Sequence, residues 1–326
     1  QSGDAHSTLT QLTSSGVPSG VITPIEVLTH ANQAADVKSR LATLSGVRAA
    51  VTLTGNGAQR DDLAVVDVFP SGETSTNAGR ATLALVSNLA GTDRDIVGVG
   101  GTGIEDVDFG HAVYGNFPIV LAIIALITLL LLTRALRSIV LALKAVLLNL
   151  VSVGAAYGIL VFIWQQGHGS NALWGVPGTG AITIWVPVAV FAFLFGLSMD
   201  YEVFILTRMR EAYDDTGSTT QAIITGIGRT GRLVTSAALI LFLAFISLAS
   251  NPEVNIKILA TGLGAGILVD ALVIRALLVP AFVSLLGSWN WYLPTWVANV
   301  LRVQPSPRHG QKTTREMVLT SGSAHS

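Results

Sequence analysis

Inside the apolar run FLFGLSMDYEVFILTRMR (193–210), three residues able to hold charge or exchange protons stand side by side: Asp200, Tyr201 and Glu202. A second run, TGLGAGILVDALVIRALLVP (261–280), holds Asp270 and Arg275. A charge at bilayer depth costs at least a few kcal/mol, so intramembrane acids carry a functional expectation by default. Desolvation favours the neutral carboxyl and a nearby arginine favours the charged one, so an acid held between them can load and unload protons. A tyrosine hydroxyl alongside can donate to the carboxylate or orient a water. The alternative chemistry is a static polar clamp between helices.

Spacing assigns these residues different roles. Asp200 lies about two turns before Arg208, ~10 Å from a basic boundary. Glu202 is nearer that boundary and is expected to snorkel to water. Asp200 is then the acid that needs an internal partner or a proton. Gly262, Gly266 and Asp270 are four apart and share one helix face. Small residues there let another helix approach, so Asp270 is expected on a packed face. Arg275 is five residues on, ~7.5 Å along an α-helix and rotated by ~140°. That makes a poor direct ion pair within one helix, and each group is expected to find its partner on another span.

The elements that must hold these residues are membrane spans. Half of the 326 residues are hydrophobic and 12% are charged, with the charge concentrated before residue 110. The organisation read from this is an extracytoplasmic domain over 1–113, a transmembrane domain over 114–288 and a cytoplasmic tail over 289–326. Five runs reach ~20 apolar residues: about 117–133, 139–164, 181–207, 233–249 and 256–286. Arg134, Arg137, Arg208, Arg210, Arg229 and Arg232 fall in one set of links, with more basic residues in the tail. The loop WQQGHGSNALWGVPGTG has none. The positive-inside bias therefore puts the C-terminus in the cytoplasm and residues 1–113 outside. With no export signal before Gln1, the chain reads as the C-terminal piece of a longer protein. Trp164, Trp174 and Trp185 are expected at the outer interface, and Trp289, Trp291, Tyr292 and Trp296 at the inner one. Ser218–Gln221 reads as a capping box opening a short amphipathic surface helix, with Ile223, Ile224 and Ile227 on one face.

The first 110 residues read as βαββαβ. Extended runs fall at 21–28, 48–55, 63–70 and 95–103, and helices at 31–46 and 75–90, ending at Gly46 and Gly91. Asn56-Gly57 marks a turn. The order predicts an α+β, ferredoxin-like fold. No nucleophile–base pair, metal-ligand spacing or Walker loop appears, and VGVGGTG (97–103) is not a dinucleotide fingerprint. His30 and His111 stand alone. Absent cysteine excludes thiol and disulfide chemistry, and near-zero net charge gives no case for nucleic acid.

GLSMDYEVFILTRMREAYDDTG, GRTGRLVTSAALIL and GAGILVDALVIRALLVPA together closely resemble the MMPL ("mycobacterial membrane protein large") family of the resistance–nodulation–division superfamily. The resemblance covers essentially the whole chain, as most of a second porter domain followed by spans eight to twelve. It implies a bacterial plasma-membrane exporter of lipids or other hydrophobic molecules, driven by proton motive force, without a cofactor and not an enzyme. It also implies a proton relay of Asp200, Tyr201, Asp270 and Arg275. Asp200 stands where drug-exporting relatives carry lysine, which favours the lipid-exporting branch. The span-four half of the relay is not in this chain, so the N-terminal half of the transporter is an implied partner. Protons, membrane lipids, a further copy of the protein and accessory proteins complete the partners. Two rivals are a non-transporting sterol-sensing-type or lipid-organising scaffold and a protein-export accessory of the same superfamily.

Overall fold

The computed structural model describes residues 8, 11, 12, 14–54, 59–74, 76–178 and 180–303. The Asn56-Gly57 turn and the tail after residue 303 lie outside the described residues. Two compact units part between Pro118 and Ile119.

In the first unit, alternating burial fixes the strands. β1 (Ile25–His30) turns Ile25, Val27 and Thr29 inward, and β4 (Leu63–Pro70) buries every second residue. β2 (Val47–Thr52), the two-residue β3 (Gln59–Arg60) and β5 (Ile96–Gly100) complete the sheet. The strand order is β2-β4-β1-β5, with β3 on β4 and all pairs antiparallel. Two helices supply the apolar cover. α1 (Ala34–Ala42) buries Ala34, Val37 and Leu41 on one face, and α2 (Asn77–Thr92) buries Leu83 and Val86. Thr76 Oγ1 caps α2 by accepting from the Gly79 N–H at 3.1 Å. A helix α3 (Thr102–Tyr114) follows β5.

Two predicted glycine stops behave differently. Gly46 does turn the chain, at φ +82°, a few residues after α1 ends at Ala42. Gly91 does not stop α2, which runs on to Thr92.

The second unit is helical: α4 (Phe117–Leu136), α5 (Ile139–Leu160), α6 (Ser170–Trp174), α7 (Trp185–Thr216), α8 (Thr219–Leu248) and α9 (Val254–Leu268). α5 runs into a π-turn over Val161–Gln165. α9 continues as a ten-residue π-helix, Val269–Leu278, and then as α10 (Val279–Leu286). A 3₁₀ turn leads to the short α11 (Thr295–Val300). Five helical stretches among the described residues are long and apolar enough to cross a membrane, ending at Leu136, Gln165, Thr216, Leu248 and Trp291. α4 and α8 leave Ile123, Leu126, Leu131, Leu239 and Ile240 exposed, a pattern that suits hydrocarbon and not water.

Three sequence expectations need correction. The surface helix and the fourth span are one continuous helix, α8. Of the capping box, Ser218 Oγ accepts from the Gln221 N–H, while the Ser218 N–H donates to Thr216 Oγ1. Trp164 and Trp291 are not interfacial anchors. Trp164 is fully buried, stacks on Trp174 and donates to Thr261 Oγ1 at 2.8 Å. Trp291 is buried, stacks on Tyr213 and donates to Thr219 Oγ1. An indole N–H with an internal partner is stable away from the interface. Trp289, Tyr292 and Trp296 are exposed, as an anchoring role requires.

Candidate functional site

Glycines set the separation of the helices that carry the site. A Cβ on Gly266 would lie 2.3 Å from Leu194 Cδ1 and 3.2 Å from Ala156 Cβ, and one on Gly262 would lie 2.8 Å from Leu160 Cδ1. α9 therefore approaches α7 and α5 closely, as the small-residue face predicts. Asp270 continues that face and is buried.

Asp270 and Arg275 do form a direct ion pair, which α-helical spacing disfavours. Arg275 Nε donates to Asp270 Oδ2 at 2.8 Å. The reason is local. Both lie in the π-helix, whose i→i+5 hydrogen bonding brings residues five apart onto nearly one face. The expectation of partners on another span also holds. Ser198 Oγ, on α7, donates to Asp270 Oδ1 at 2.9 Å. Arg275 Nη2 donates to Ser198 Oγ at 2.9 Å and to the Ser198 carbonyl. The three side chains close a ring of charge-assisted bonds across two helices. The Tyr201 ring covers the guanidinium, 5.2 Å from its centroid, a cation–π contact. A cavity of about 10 Å³, lined in part by Ser152, Ser198, Tyr201 and Asp270, adjoins this cluster.

α7 reverses the expected burial of its acids. Asp200 is exposed, whereas Glu202 is 3% exposed and does not reach the surface. Helical phase explains this. Ser198, Glu202, Ile205 and Met209 recur at i, i+4, i+7 and i+11 and form the packed face. Asp200, two residues from Ser198, points away from it. Tyr201 is half-buried and belongs to the cluster.

Sequence reasoning missed four contributors: Ser198, Lys144, Asn149 and Ser152, all buried. Lys144 sits in LALKAVLLNL on α5, and an ionisable residue in so apolar a run was a readable signal. Asn149 Nδ2 donates to the Phe195 carbonyl at 3.2 Å, tying α5 to α7. Toward the basic ends of the helices lies a second network. Arg210 Nε meets Asp214 Oδ1 at 3.1 Å, Arg137 Nη2 meets Asp214 Oδ2, and Arg210 Nη1 donates to the Arg137 and Trp291 carbonyls.

Among the described residues there is no His/Cys/Asp/Glu group arranged to hold a metal. The fold and the cluster define a multi-pass membrane protein with complementary charges buried between packed spans. A profile of the MMPL family matches residues 62–313, and the chain belongs to that family. It is 42% identical over 205 residues to the heme uptake protein MmpL11 of Mycobacterium tuberculosis, covering 63% of this chain and 21% of that protein. It is 38% identical over 238 residues to the mycolic acid-containing lipids exporter MmpL11 of Mycolicibacterium smegmatis, covering 73% and 25%. It is 39% identical over 198 residues to the trehalose monomycolate exporter MmpL3 of Mycobacterium tuberculosis, covering 61% and 21%. The chain thus spans about a fifth to a quarter of the length of these relatives.

Proposed function

We infer that the chain is part of a proton-driven exporter of lipids or other hydrophobic molecules in the bacterial plasma membrane. The observation that carries this is the closed Ser198–Asp270–Arg275 ring beneath Tyr201. Ser198 ties α7 to the helix after α9 through Asp270 and Arg275, and the ring is complete while Asp270 is a carboxylate that accepts from both partners. A proton on Asp270 removes its charge and one acceptor position, which loosens the clasp and lets the two helices shift. The cycle is one of alternating protonation, with Tyr201 relaying to Asp200. The exposed side of Asp200 faces the half of the transporter outside this chain. Residues 1–113 form the extracytoplasmic domain, and the C-terminus lies in the cytoplasm. The β2-β4-β1-β5 order, with β2 and β1 both antiparallel to β4, supports the ferredoxin-like reading. Substrate passes through that domain and the outer leaflet, not through the carboxylates. The names of two relatives above specify lipid export and that of the third heme uptake, so a hydrophobic cargo is the common ground.

The test is Asp200→Asn and Asp270→Asn in the longer transporter, reconstituted in vesicles. Lipid export and proton flux should both be lost. If both persist, the relay reading is wrong. One observation favours a second reading, a static clamp in a non-transporting scaffold: both oxygens of Asp270 are already satisfied by protein donors. Under that reading the unsubstituted protein carries neither lipid export nor proton flux, and Asp270→Asn only lowers stability.

A further inference from the structure

Lys144 and Glu202 are buried to within 7% and 3% of full enclosure, on α5 and α7. Lys144 Nζ and Glu202 Oε1 have no hydrogen-bond partner among the described residues. Each is nevertheless the other's charged neighbour, and Glu202 also faces Arg275 and Asp270 from the π-helix. A lone buried charge is costly and its partner must be close. Here two complementary groups are buried on two helices in contact without a hydrogen bond to lock them, unlike Asp270 and Arg275.

Their position along the helices is ordered. Ser198 is deepest on α7, Glu202 is one turn nearer its end, and Arg210 lies two turns beyond. Lys144 lies near the start of α5, between Arg137 and Ser152. Asp270 precedes Arg275 on the last helix, which runs the same way as α7. Three layers result: Ser152, Ser198 and Asp270, then Lys144, Glu202 and Arg275, then Arg137, Arg210 and Asp214. The middle layer separates the proposed proton site from the arginine-rich end.

We propose that Lys144 and Glu202 form a second proton-holding pair, which passes protons between the Asp270 cluster and the arginine-rich end of the helices. The proposal rests on the proton-coupled reading above. With one proton, the pair is either ammonium and carboxylate or amine and carboxyl, of equal net charge. A proton leaving the Asp270 carboxyl breaks its O–H bond there and makes one on Glu202, while Lys144 keeps its N–H. When the Glu202 O–H bond breaks in turn, the proton passes to water at the arginine-rich end and the carboxylate is restored. Asn149, with an unpartnered buried Oδ1, lies on α5 between Lys144 and Ser152 and offers an acceptor on the side of the Ser198 layer.

Labelling the membrane-embedded chain with dicyclohexylcarbodiimide, which attacks protonated carboxyl groups in apolar surroundings, tests this. Peptide mass spectrometry locates the adduct. Glu202 should be labelled, and labelling should fall as pH rises. Lys144→Met removes the opposing positive charge, so half-labelling should move to about tenfold lower proton concentration or beyond. A permanently ionised Glu202 gives no adduct at any pH in wild type, and that overturns the proposal without touching Asp270. Labelling that ignores pH, or ignores Lys144→Met in protein shown to be folded, overturns it too. Conversely, proton flux that survives Asp200→Asn and Asp270→Asn while Glu202 still titrates defeats only the relay reading.

Discussion

Removing Arg275 or Asp270 should destabilise the helical unit by similar amounts at neutral pH but with opposite pH dependence. Arg275→Met deletes the 2.8 Å bond to Asp270, the bonds to Ser198 and the contact over Tyr201. Breaking a buried pair by removing one partner costs about 3–5 kcal/mol, and the lost cation–π contact adds about 0.5–2. Asp270→Leu should cost about 3–5 kcal/mol by the same reasoning. The double variant removes both charges, and such replacements are often neutral, so the coupling should be at least about 3 kcal/mol. Charge balance supplies the signs. Lys144, Glu202, Asp270 and Arg275 together are neutral when all are ionised. Without Arg275 the set is left negative, and acid relieves it by protonating a carboxylate. Without Asp270 it is left positive, and only base relieves it, by deprotonating Lys144, because arginine keeps its proton. Reversible unfolding in micelles or bicelles, at about pH 5, 7 and 9, measures all three variants. The Arg275→Met penalty should shrink toward acid and the Asp270→Leu penalty toward base. Single costs that add within about 0.5 kcal/mol refute the coupled cluster, and parallel pH trends refute the charge argument.

Two predictions concern the first unit. Gly79→Ala places a Cβ 1.9 Å from the Glu73 carbonyl oxygen, whereas Gly91→Ala on the same helix meets nothing within 4 Å. The former should speed amide exchange across α2, and the latter should slow it by about 0.5–1 kcal/mol of helix stability, read by hydrogen-exchange mass spectrometry on the full chain. Equal effects would refute the packing at Gly79. Burial, then the Glu26 carboxylate opposite it on β1, pushes the Asp67 carboxyl above its usual 3.8. The folded chain therefore keeps a proton that the unfolded chain has lost, and stability falls as pH rises through the interval above 3.8. The penalty is fully present at neutral pH. Asp67→Asn should protect the β1–β4 amides at neutral pH and make no difference in strong acid; unchanged protection at neutral pH would count against it.

Strand and span positions were legible because each rests on a single local period. β4 alternates along its whole length, and the apolar runs mark the helices to within a few residues, apart from α7, which runs nine residues past the expected end at 207, and α8. α8 was split because its polar first half, TTQAIITGIGRTGR, looks like a link, yet Thr230 is buried with Oγ1 donating to the Gly226 carbonyl. A Cβ on Gly226 would lie 2.3 Å from Met209 Cγ, so that half packs tightly on α7. Tertiary contact extends the helix where hydropathy stops. Glu202 was misplaced because depth was weighed without phase. Ser198, four residues earlier, was visible in the same quoted run and defines the face that Glu202 shares.

The Asp270–Arg275 pair was out of reach for a different reason. Its geometry exists only in a π-helix, and an α-helical period predicts the opposite result. Nothing in VDALVIRALL favours ten residues of i→i+5 bonding, a geometry otherwise confined mostly to single turns. The cluster favours it: in that winding Arg275 reaches Asp270, Ser198 and Tyr201 together. The dependence runs both ways. Protonating Asp270 removes the charge that holds Arg275 five residues along, and with it part of what favours π over α. A return to α-helix over ten residues would rotate everything after it, α10 included. Under the proton-driven reading proposed above, this segment would be the element that a proton on Asp270 biases, and a pH-dependent change in amide exchange over 269–278 would report it.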